Sequence, residues 1–160
     1  RKGLTMAQEP PSLIRAARIA ELVEIPFRHP LNPESEIHLR SLSVAAGLQR
    51  IGLHIGRVPP GRESFVYHWH HYEEEFIYVL SGRGVADIGE QSFEVGPGDV
   101  MLFTAPSVGH NLRNPFDDDL VYLMGGENRP LEIGEFPRHG KRAVFDKGSA
   151  PYLIDVAATE

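Results

Sequence analysis

The stretch that decides the fold joins imidazole and carboxylate side chains to an apolar run: His68-Trp69-His70-His71-Tyr72-Glu73-Glu74-Glu75-Phe76-Ile77-Tyr78-Val79-Leu80-Ser81-Gly82. Side chains two positions apart in a β-strand point to the same face, so a strand here projects His68 and His70 together, with Cα atoms roughly 7 Å apart. Two imidazoles at that spacing can bind one metal ion. The polar residues 71–74 predict a turn, and the apolar run predicts a returning antiparallel strand that begins at Glu75 and faces the two histidines across the pair.

The three consecutive glutamates leave two registers open for this returning strand. If Glu75 faces the histidines, Ile77 and Val79 lie on the same side of the strand. If Glu74 faces them, a different apolar set lines the pocket: Phe76, Tyr78 and Leu80. We favour Glu75 as the ligand and interpret Glu73 and Glu74 as solvated turn residues.

A second stretch supplies a further histidine: Pro97-Gly98-Asp99-Val100-Met101-Leu102-Phe103-Thr104-Ala105-Pro106-Ser107-Val108-Gly109-His110-Asn111-Leu112-Arg113-Asn114. Its opening Pro-Gly-Asp is a turn signal, and Val100–Phe103 is a short apolar strand. Residues 105–109 predict a second turn, which delivers His110 at the head of the next strand.

Together the two stretches resemble the two motifs of the cupin superfamily. The first motif reads Gly, five residues, His-x-His, three or four residues, Glu, six residues, Gly, and its matches are Gly61, His68, His70, Glu75 and Gly82. The second ends in a Pro-Gly turn followed by His-x-x-x-Asn, which His110 and Asn114 match. Two departures concern the turns: six residues precede His68, and Gly109 adjoins His110 directly with Pro106 displaced. The resemblance covers about half the chain, from Val58 to Gly125.

The resemblance implies an all-β fold, the cupin double-stranded β-helix or jelly-roll barrel, whose interior can hold a small ligand. It also implies a centre of three histidines and one glutamate that binds a divalent metal ion: His68, His70, Glu75 and His110. Imidazole and carboxylate ligands suit Fe, Mn, Ni or Zn, and one or two coordination positions stay open. By family analogy we further expect a homodimer, formed through the N-terminal arm and exposed apolar strand faces.

A plainer interpretation treats the histidine and glutamate cluster as a solvated hairpin tip whose charges keep a sheet edge soluble. It requires four ligand-type residues on three strands to take motif positions by accident, so we favour the metal site.

Composition narrows the possible partners. The 160 residues carry a net charge of −6 and no cysteine. This acidic balance argues against nucleic acid and anionic membrane surfaces as partners, and the lack of cysteine excludes disulfides and thiolate ligands. No apolar run approaches the length of a membrane span, and none near the start resembles a signal peptide, so we expect a cytoplasmic protein.

We divide the chain into an N-terminal arm (1–35), a cupin barrel (36–126) and an irregular C-terminal tail (127–160) that packs on or extends the barrel. The arm is expected to hold a short helix over Leu13–Glu24, with Ser12 as N-cap, before it becomes extended. Further predicted strands cover these ranges: Glu36–Val44, Leu48–Val58, Gly84–Ile88, Gln91–Val95, Leu120–Met124 and Tyr152–Val156, the last as an edge strand or a partner contact. Residues 1–5 precede Met6 and are interpreted as a tag remnant or an upstream start.

Other polar and aromatic residues are weaker candidates. His54 lies on a strand face opposite Ile51, Leu53 and Ile55, where it is either a base behind the metal ligands or a structural histidine. Three tail residues are either anchors for a substrate carboxylate or phosphate, or solvated residues covering a barrel edge, which we favour: Arg129, Arg138 and Arg142. His71 is interpreted as a turn residue. The tyrosines at 67, 78 and 122 are interpreted as packing aromatics.

The sequence therefore predicts a metal-binding cupin with a small-molecule ligand. Our leading hypothesis is a metal-dependent enzyme, of dioxygenase or of isomerase or lyase type, that acts on a polar small molecule such as a sugar derivative or an oxygenated acid. The alternative is a cupin that binds or senses a small molecule without catalysis. No catalytic residue beyond the metal ligands is identified.

Overall fold

A computed structural model describes residues 10–156; the predicted tag remnant at 1–5 and the last four residues lie outside the described range. Within it, two short helices and fourteen strands follow one another in this order: α1 (Ala16–Glu21), β1 (Ile25–Arg28), β2 (Glu36–Ser41), α2 (Leu42–Ala46), β3 (Ile51–Val58), β4 (Arg62–Glu63), β5 (Trp69–His70), β6 (Glu75–Ser81), β7 (Gly84–Ile88), β8 (Gln91–Val95), β9 (Val100–Phe103), β10 (His110–Asn114), β11 (Leu120–Glu127), β12 (Leu131–Phe136), β13 (Lys141–Asp146) and β14 (Tyr152–Asp155). A 3₁₀ turn, Pro137–His139, joins β12 to β13. None of the described helices is long and apolar enough to span a membrane.

The strands form three antiparallel sheets. The largest has the order β1-β2-β3-β11-β6-β9, and two four-stranded sheets have the orders β4-β10-β7-β8 and β14-β13-β12-β5. An antiparallel bridge between His68 and His110 connects the two smaller sheets. Since consecutive strands repeatedly alternate between sheets, the chain winds as a jelly roll, and the predicted all-β cupin fold is confirmed.

The core lies between the inner faces of these sheets. Val58, Val79, Leu120 and Tyr122 are fully buried there. The opposite face of the large sheet is apolar but exposed, as shown by Leu102 with 72% of its surface accessible. Burying the inward-facing side chains supplies the main driving force for closing the barrel.

The N-terminal region differs from the prediction in two local features. Helix α1 is shorter than Leu13–Glu24 and begins at Ala16, so Ser12 is not its N-cap. The strand predicted over Glu36–Val44 ends at Ser41, whose hydroxyl accepts a hydrogen bond from the Val44 N–H and caps α2. Serine side chains commonly accept hydrogen bonds from backbone N–H groups at the start of a helix. The alternation of apolar residues over Glu36–Val44 predicts a continuous strand and gives no sign of this cap. The extended arm was correctly expected, because β1 pairs with β2 of its own chain.

The C-terminal tail is more regular than predicted. Residues 131–155 form β12, β13 and β14, and β12 also pairs with β5, placing Gly134 opposite His70. The predicted final edge strand is β14. Glycine and charged residues interrupt the alternation of polar and apolar residues in β12 and β13, so the sequence does not predict these two strands.

The hairpin predicted between the histidine strand and the Glu75 strand is wrong. Among the described strands, β5 pairs with β12 whereas β6 pairs with β11 and β9. The two strands therefore belong to different sheets, and Glu75 reaches the histidines across the barrel interior. The turn predicted for residues 71–74 is nevertheless present.

Candidate metal centre

Three segments deliver the four predicted ligands. The backbones of His68 and His110 exchange hydrogen bonds of 3.0 and 2.8 Å, which fixes one histidine strand beside the other. His70 follows on β5, where the His70 N–H donates to the Ser107 hydroxyl at 2.9 Å. Glu75 approaches from the large sheet, so the site closes only when the sheets pack together.

The inward-facing residues of β6 establish which glutamate enters the site. Val79 is fully buried and Ile77 packs on the core, whereas Tyr78 and Leu80 are exposed. This is the register that places Glu75 toward the histidines, as predicted.

The four side chains meet around one carboxylate oxygen. Oε1 of Glu75 lies 2.8 Å from Nε2 of His110, 3.6 Å from Nε2 of His70 and 3.9 Å from Nε2 of His68. The ligand atoms of His68, His70 and Glu75 all lie within 4.8 Å of one another, and His110 joins this group through its contact with Glu75. A single ion can bridge atoms at these separations after small side-chain movements.

Hydrogen bonds behind the rings fix the tautomers of two histidines. Nδ1 of His68 lies 2.8 Å from the Val66 carbonyl oxygen, and Nδ1 of His110 lies 2.9 Å from the Val108 carbonyl oxygen. A carbonyl oxygen only accepts, so each Nδ1 carries the proton and donates. In the neutral ring, Nε2 then presents a lone pair to the centre, which is the arrangement of a metal-binding histidine.

Burial of His68 and the close contacts around Glu75 favour the protonation states that a metal ion requires. Burial, together with the neighbouring His110, lowers the pKa of His68 to about 3, so its imidazole is neutral. Burial alone would raise the pKa of Glu75, but the close contact with His110 and the fields of His68 and His70 outweigh it and lower that pKa to about 2. Neutral imidazoles and an ionised carboxylate are the ligand forms of both residue types.

The central carboxylate oxygen lacks the partner that its burial demands. Oε1 of Glu75 is buried without a hydrogen bond, because Nε2 of the neutral His110 ring, 2.8 Å away, carries a lone pair and has no proton to donate. An unpaired buried carboxylate oxygen facing nitrogen lone pairs is costly, and a cation among these atoms removes the cost. The donor set of imidazole and carboxylate groups therefore fits a divalent transition-metal ion.

Packing keeps the His110 ring in place. It stacks on Phe103 with ring centroids 3.7 Å apart and planes 8° from parallel. His110 is 2% exposed, the most deeply buried of the four. The stacking restricts ring rotation, so its Nε2 stays directed at the centre.

Sequence reasoning missed two buried glutamates on β12. The Glu132 carboxylate accepts hydrogen bonds from the backbone N–H groups of His71 and Tyr72 and lies 3.6 Å from Nδ1 of His70. Glu135 lies 2.9 Å from Nε2 of His71 and 2.5 Å from the Arg142 Nε. Their only signal in the sequence is two glutamates three residues apart in a tail with no visible periodicity.

His70 also belongs to a second group of ligand-type atoms. The ligand atoms of His70, Glu73 and Glu132 lie within 4.8 Å of one another, and Nδ1 of His70 is buried without a hydrogen bond. This group contains a single imidazole. In the first group, by contrast, the Nε2 atoms of His68 and His110 are held in the tautomer that can bind a metal ion. The first group is therefore the better metal site.

The metal centre opens into a cavity of about 310 Å³. The large sheet, the sheet of β5, β12, β13 and β14, and the N-terminal arm bound this cavity. Its wall includes His54, and burial lowers the pKa of that imidazole. The structure thus places His54 in the wall of the cavity, on the inner face of β3, with Ile51 exposed on the outer face.

None of the three tail arginines is part of the cavity lining. Arg129 contacts Glu127 at 3.2 Å, and Arg142 pairs with Glu135. The Arg138 guanidinium lies 3.8 Å over the Tyr67 ring. These contacts agree with the interpretation of the arginines as residues that cover the barrel edge.

The chain belongs to the cupin superfamily. A family model described as a cupin domain matches residues 54–126, which span β3 to β11 and contain all four candidate ligands. The family commonly binds metal ions, and the histidine and glutamate group described above is of the corresponding kind.

Comparisons with individual proteins extend this likeness beyond the matched domain. A protein from Acidithiobacillus ferrooxidans, provisionally described as a sugar phosphate isomerase, is 33% identical, with a TM-score of 0.86 over 91% of this chain and 92% of that chain. A sugar phosphate isomerase of the cupin superfamily from Silicibacter pomeroyi shares the fold at 24% identity and a TM-score of 0.75, over 84% of this chain and 86% of that one. Uncharacterized protein MJ1618 of Methanocaldococcus jannaschii is 35% identical over 57 residues, so the match covers 36% of this chain and 44% of that protein.

Proposed function

We propose that this cupin is a metal-dependent enzyme that binds one divalent ion through His68, His70, Glu75 and His110. Its substrate is a small molecule that places an oxygen atom at the open side of the centre. The observation that carries the proposal is the buried, unpaired Glu75 oxygen among imidazole nitrogens, since a cation bound among these atoms would remove the cost of burying that oxygen.

A bound ion supplies Lewis acidity or, for a redox-active metal, a site for oxygen chemistry. The chain supplies the rest. Hydrogen bonds to the Val66 and Val108 carbonyl oxygens hold two rings in the tautomer that ligates. The cavity wall excludes water around the substrate, and His54 offers a neutral imidazole that can accept a proton beside the centre. The likeness to proteins described as sugar phosphate isomerases supports an isomerase or lyase reaction over an oxygenase reaction.

Metal titration of the apo protein tests the centre. We expect one Zn²⁺ or Mn²⁺ per chain by isothermal titration calorimetry and a large loss of affinity in His110→Ala. His38→Ala is the matched control, because His38 lies on β2 and contacts Glu36 at 2.9 Å, outside the centre. Equal affinities for both variants would contradict the proposal. Metal binding and ligand binding without turnover under any tested ion would favour the binding or sensing alternative.

We also propose that two copies associate through the outer face of the large sheet. Tyr78, Val100 and Leu102 are between 42% and 72% exposed there, on adjacent antiparallel strands. A two-fold interface uses the same patch twice, and an apolar sheet face is complementary to itself. Light scattering should report a dimer for the wild type and a monomer for Leu102→Glu; a wild-type monomer at micromolar concentration would contradict this proposal.

A further inference from the structure

We propose that the cavity takes an uncharged, unphosphorylated molecule with a ring that packs against phenylalanine side chains and with oxygen atoms that face His68, His70 and Glu75. This inference rests on the proposed function and narrows its substrate class. It follows from the shape and charge of the cavity wall, and it separates this chain from the substrate class that the descriptions of its structural relatives suggest.

Part of the cavity wall is aromatic and adjoins the metal centre. Four phenylalanines line it, and they come from the arm, the segment before β5, and the C-terminal sheet: Phe27, Phe65, Phe136 and Phe145. The rings of Phe27 and Phe65 lie 5.6 Å apart, and those of Phe136 and His68 lie 6.2 Å apart. The aromatic surface thus extends to the ligand histidines. Apolar ring faces gain most from such a wall, because burial and ring packing both contribute.

The size of the cavity suits a single substituted ring. An apolar cavity of about 150 Å³ is enough to bind benzene. The cavity here is about 310 Å³, so it has room for a ring together with the oxygen substituents that would reach the centre. It lies at the lower end of the range for small-molecule sites.

The charge of the wall disfavours anions. Four carboxylates line the cavity: Glu73, Glu74, Glu75 and Glu127. No arginine or lysine of residues 10–156 is part of this lining. Arg129 pairs with the lining Glu127 at 3.2 Å, and Arg129 and Lys147 belong to a neighbouring pocket. Three lining carboxylates therefore have no such pairing with Arg129: Glu73, Glu74 and Glu75. Burial, together with the nearby His139, lowers the pKa of the lining His29 to about 4, and burial lowers the pKa of the lining His54.

This arrangement selects against a phosphate group. The carboxylates outnumber the two positive charges of a divalent ion, and partly buried charges are little screened by salt. A phosphate would therefore enter without a cationic partner on the wall, whereas phosphate sites in proteins normally use arginine, lysine or clustered backbone N–H groups. An uncharged ring with hydroxyl groups meets no such penalty.

Calorimetric titration with catechol and with glucose 6-phosphate tests the inference on the full chain, both metal-free and zinc-loaded. We expect catechol to bind the zinc-loaded protein at least about 10-fold more tightly than glucose 6-phosphate, a difference of about 1.4 kcal/mol. In Phe145→Ala, catechol affinity should fall by about 10-fold or less, in line with one aromatic contact. Phe136→Ala should have a larger effect on catechol affinity. Phe136 is only 6% exposed, however, so its replacement by alanine also destabilises the fold more than Phe145→Ala does. Phe93→Ala is the matched control, since Phe93 is 48% exposed on β8 and is not part of the cavity wall.

Tighter binding of glucose 6-phosphate than of catechol would overturn the inference, as would catechol affinities that are equal in Phe145→Ala and Phe93→Ala. Failure of the metal site gives a different result. In that case zinc would not bind at all, while the metal-free protein would still bind catechol through the aromatic wall and lose this binding in Phe145→Ala.

Discussion

The segment that matches the cupin model and the strands that follow it contribute to the candidate centre in different ways. Residues 54–126 carry all four candidate ligands but form only part of the cavity wall. Strands β12 and β13 carry none of these ligands, but they place Glu132 beside His70 and supply Phe136 and Phe145 to the cavity. The motif segment thus supplies the candidate ligands, while the C-terminal sheet supplies a carboxylate near one of them and part of the cavity wall.

The largest effect should come from the motif segment. Glu75→Gln removes the only anionic member of the centre, and we expect metal affinity to fall by more than about 100-fold, since even residues that only orient a ligand are worth about 10- to 100-fold. The zinc-induced rise in melting temperature, which corresponds to about 2.7 kcal/mol at a metal concentration 100 times Kd, should disappear. Glu74→Gln is the control, because Glu74 is exposed, precedes β6 and is not one of the four candidate ligands. An unchanged zinc shift in Glu75→Gln would show that the ion binds elsewhere.

A smaller effect should come from the C-terminal sheet. Glu132→Gln removes the charge beside Nδ1 of His70 and weakens the acceptor for two backbone N–H groups. We expect a loss of metal affinity of about 10-fold, at the low end of the range for groups behind a metal ligand. Glu135→Gln provides the comparison, because Glu135 contacts His71 and not His70. If both variants bind zinc like the wild type, the C-terminal sheet has no part in orienting the ligand.

Alanine substitutions at two glycines that line the cavity should lower the free energy of unfolding by different amounts in the two regions. A Cβ at Gly126 would lie 2.7 Å from the Glu74 carbonyl oxygen and 3.0 Å from the Glu75 Cβ, so the backbone beside the ligand must move. A Cβ at Gly134 would first meet the Phe145 ring edge at 3.1 Å, which a side-chain rotation can relieve. We expect Gly126→Ala to lower the free energy of unfolding by about 1–3 kcal/mol and Gly134→Ala by clearly less. Urea denaturation of both variants gives this comparison, and a greater loss in Gly134→Ala would contradict it.

The sequence was most informative where chemistry and strand period coincide. His68, His70 and Glu75 occur at spacings that a metal site requires, and alternation along β6 identified Glu75 over Glu74. What alternation does not report is the strand partner. The His68–His70 strand and β6 are neighbours in sequence, and this proximity predicted a hairpin. In the structure, β5 pairs with β12 instead. Pairing between segments more than sixty residues apart leaves no local signal.

The C-terminal sheet illustrates a second limit. Glu132 and Glu135 are charged residues that are nearly fully buried, and a pattern of polar residues ordinarily predicts exposure. Their burial is stable because backbone N–H groups, His71 and Arg142 surround them. His71 and the backbone N–H groups come from a segment about sixty residues away, so the sequence predicted only the last of the three strands in this tail.

The central claim is that one divalent ion binds between the two histidine strands and Glu75. The most direct test is a crystal structure of the zinc-loaded protein with an anomalous difference map. We predict one peak per chain, about 2.0–2.2 Å from Nε2 of His68, His70 and His110 and from an oxygen of Glu75. A peak beside Nδ1 of His70, between Glu73 and Glu132, or the lack of any peak near these four side chains would contradict the account.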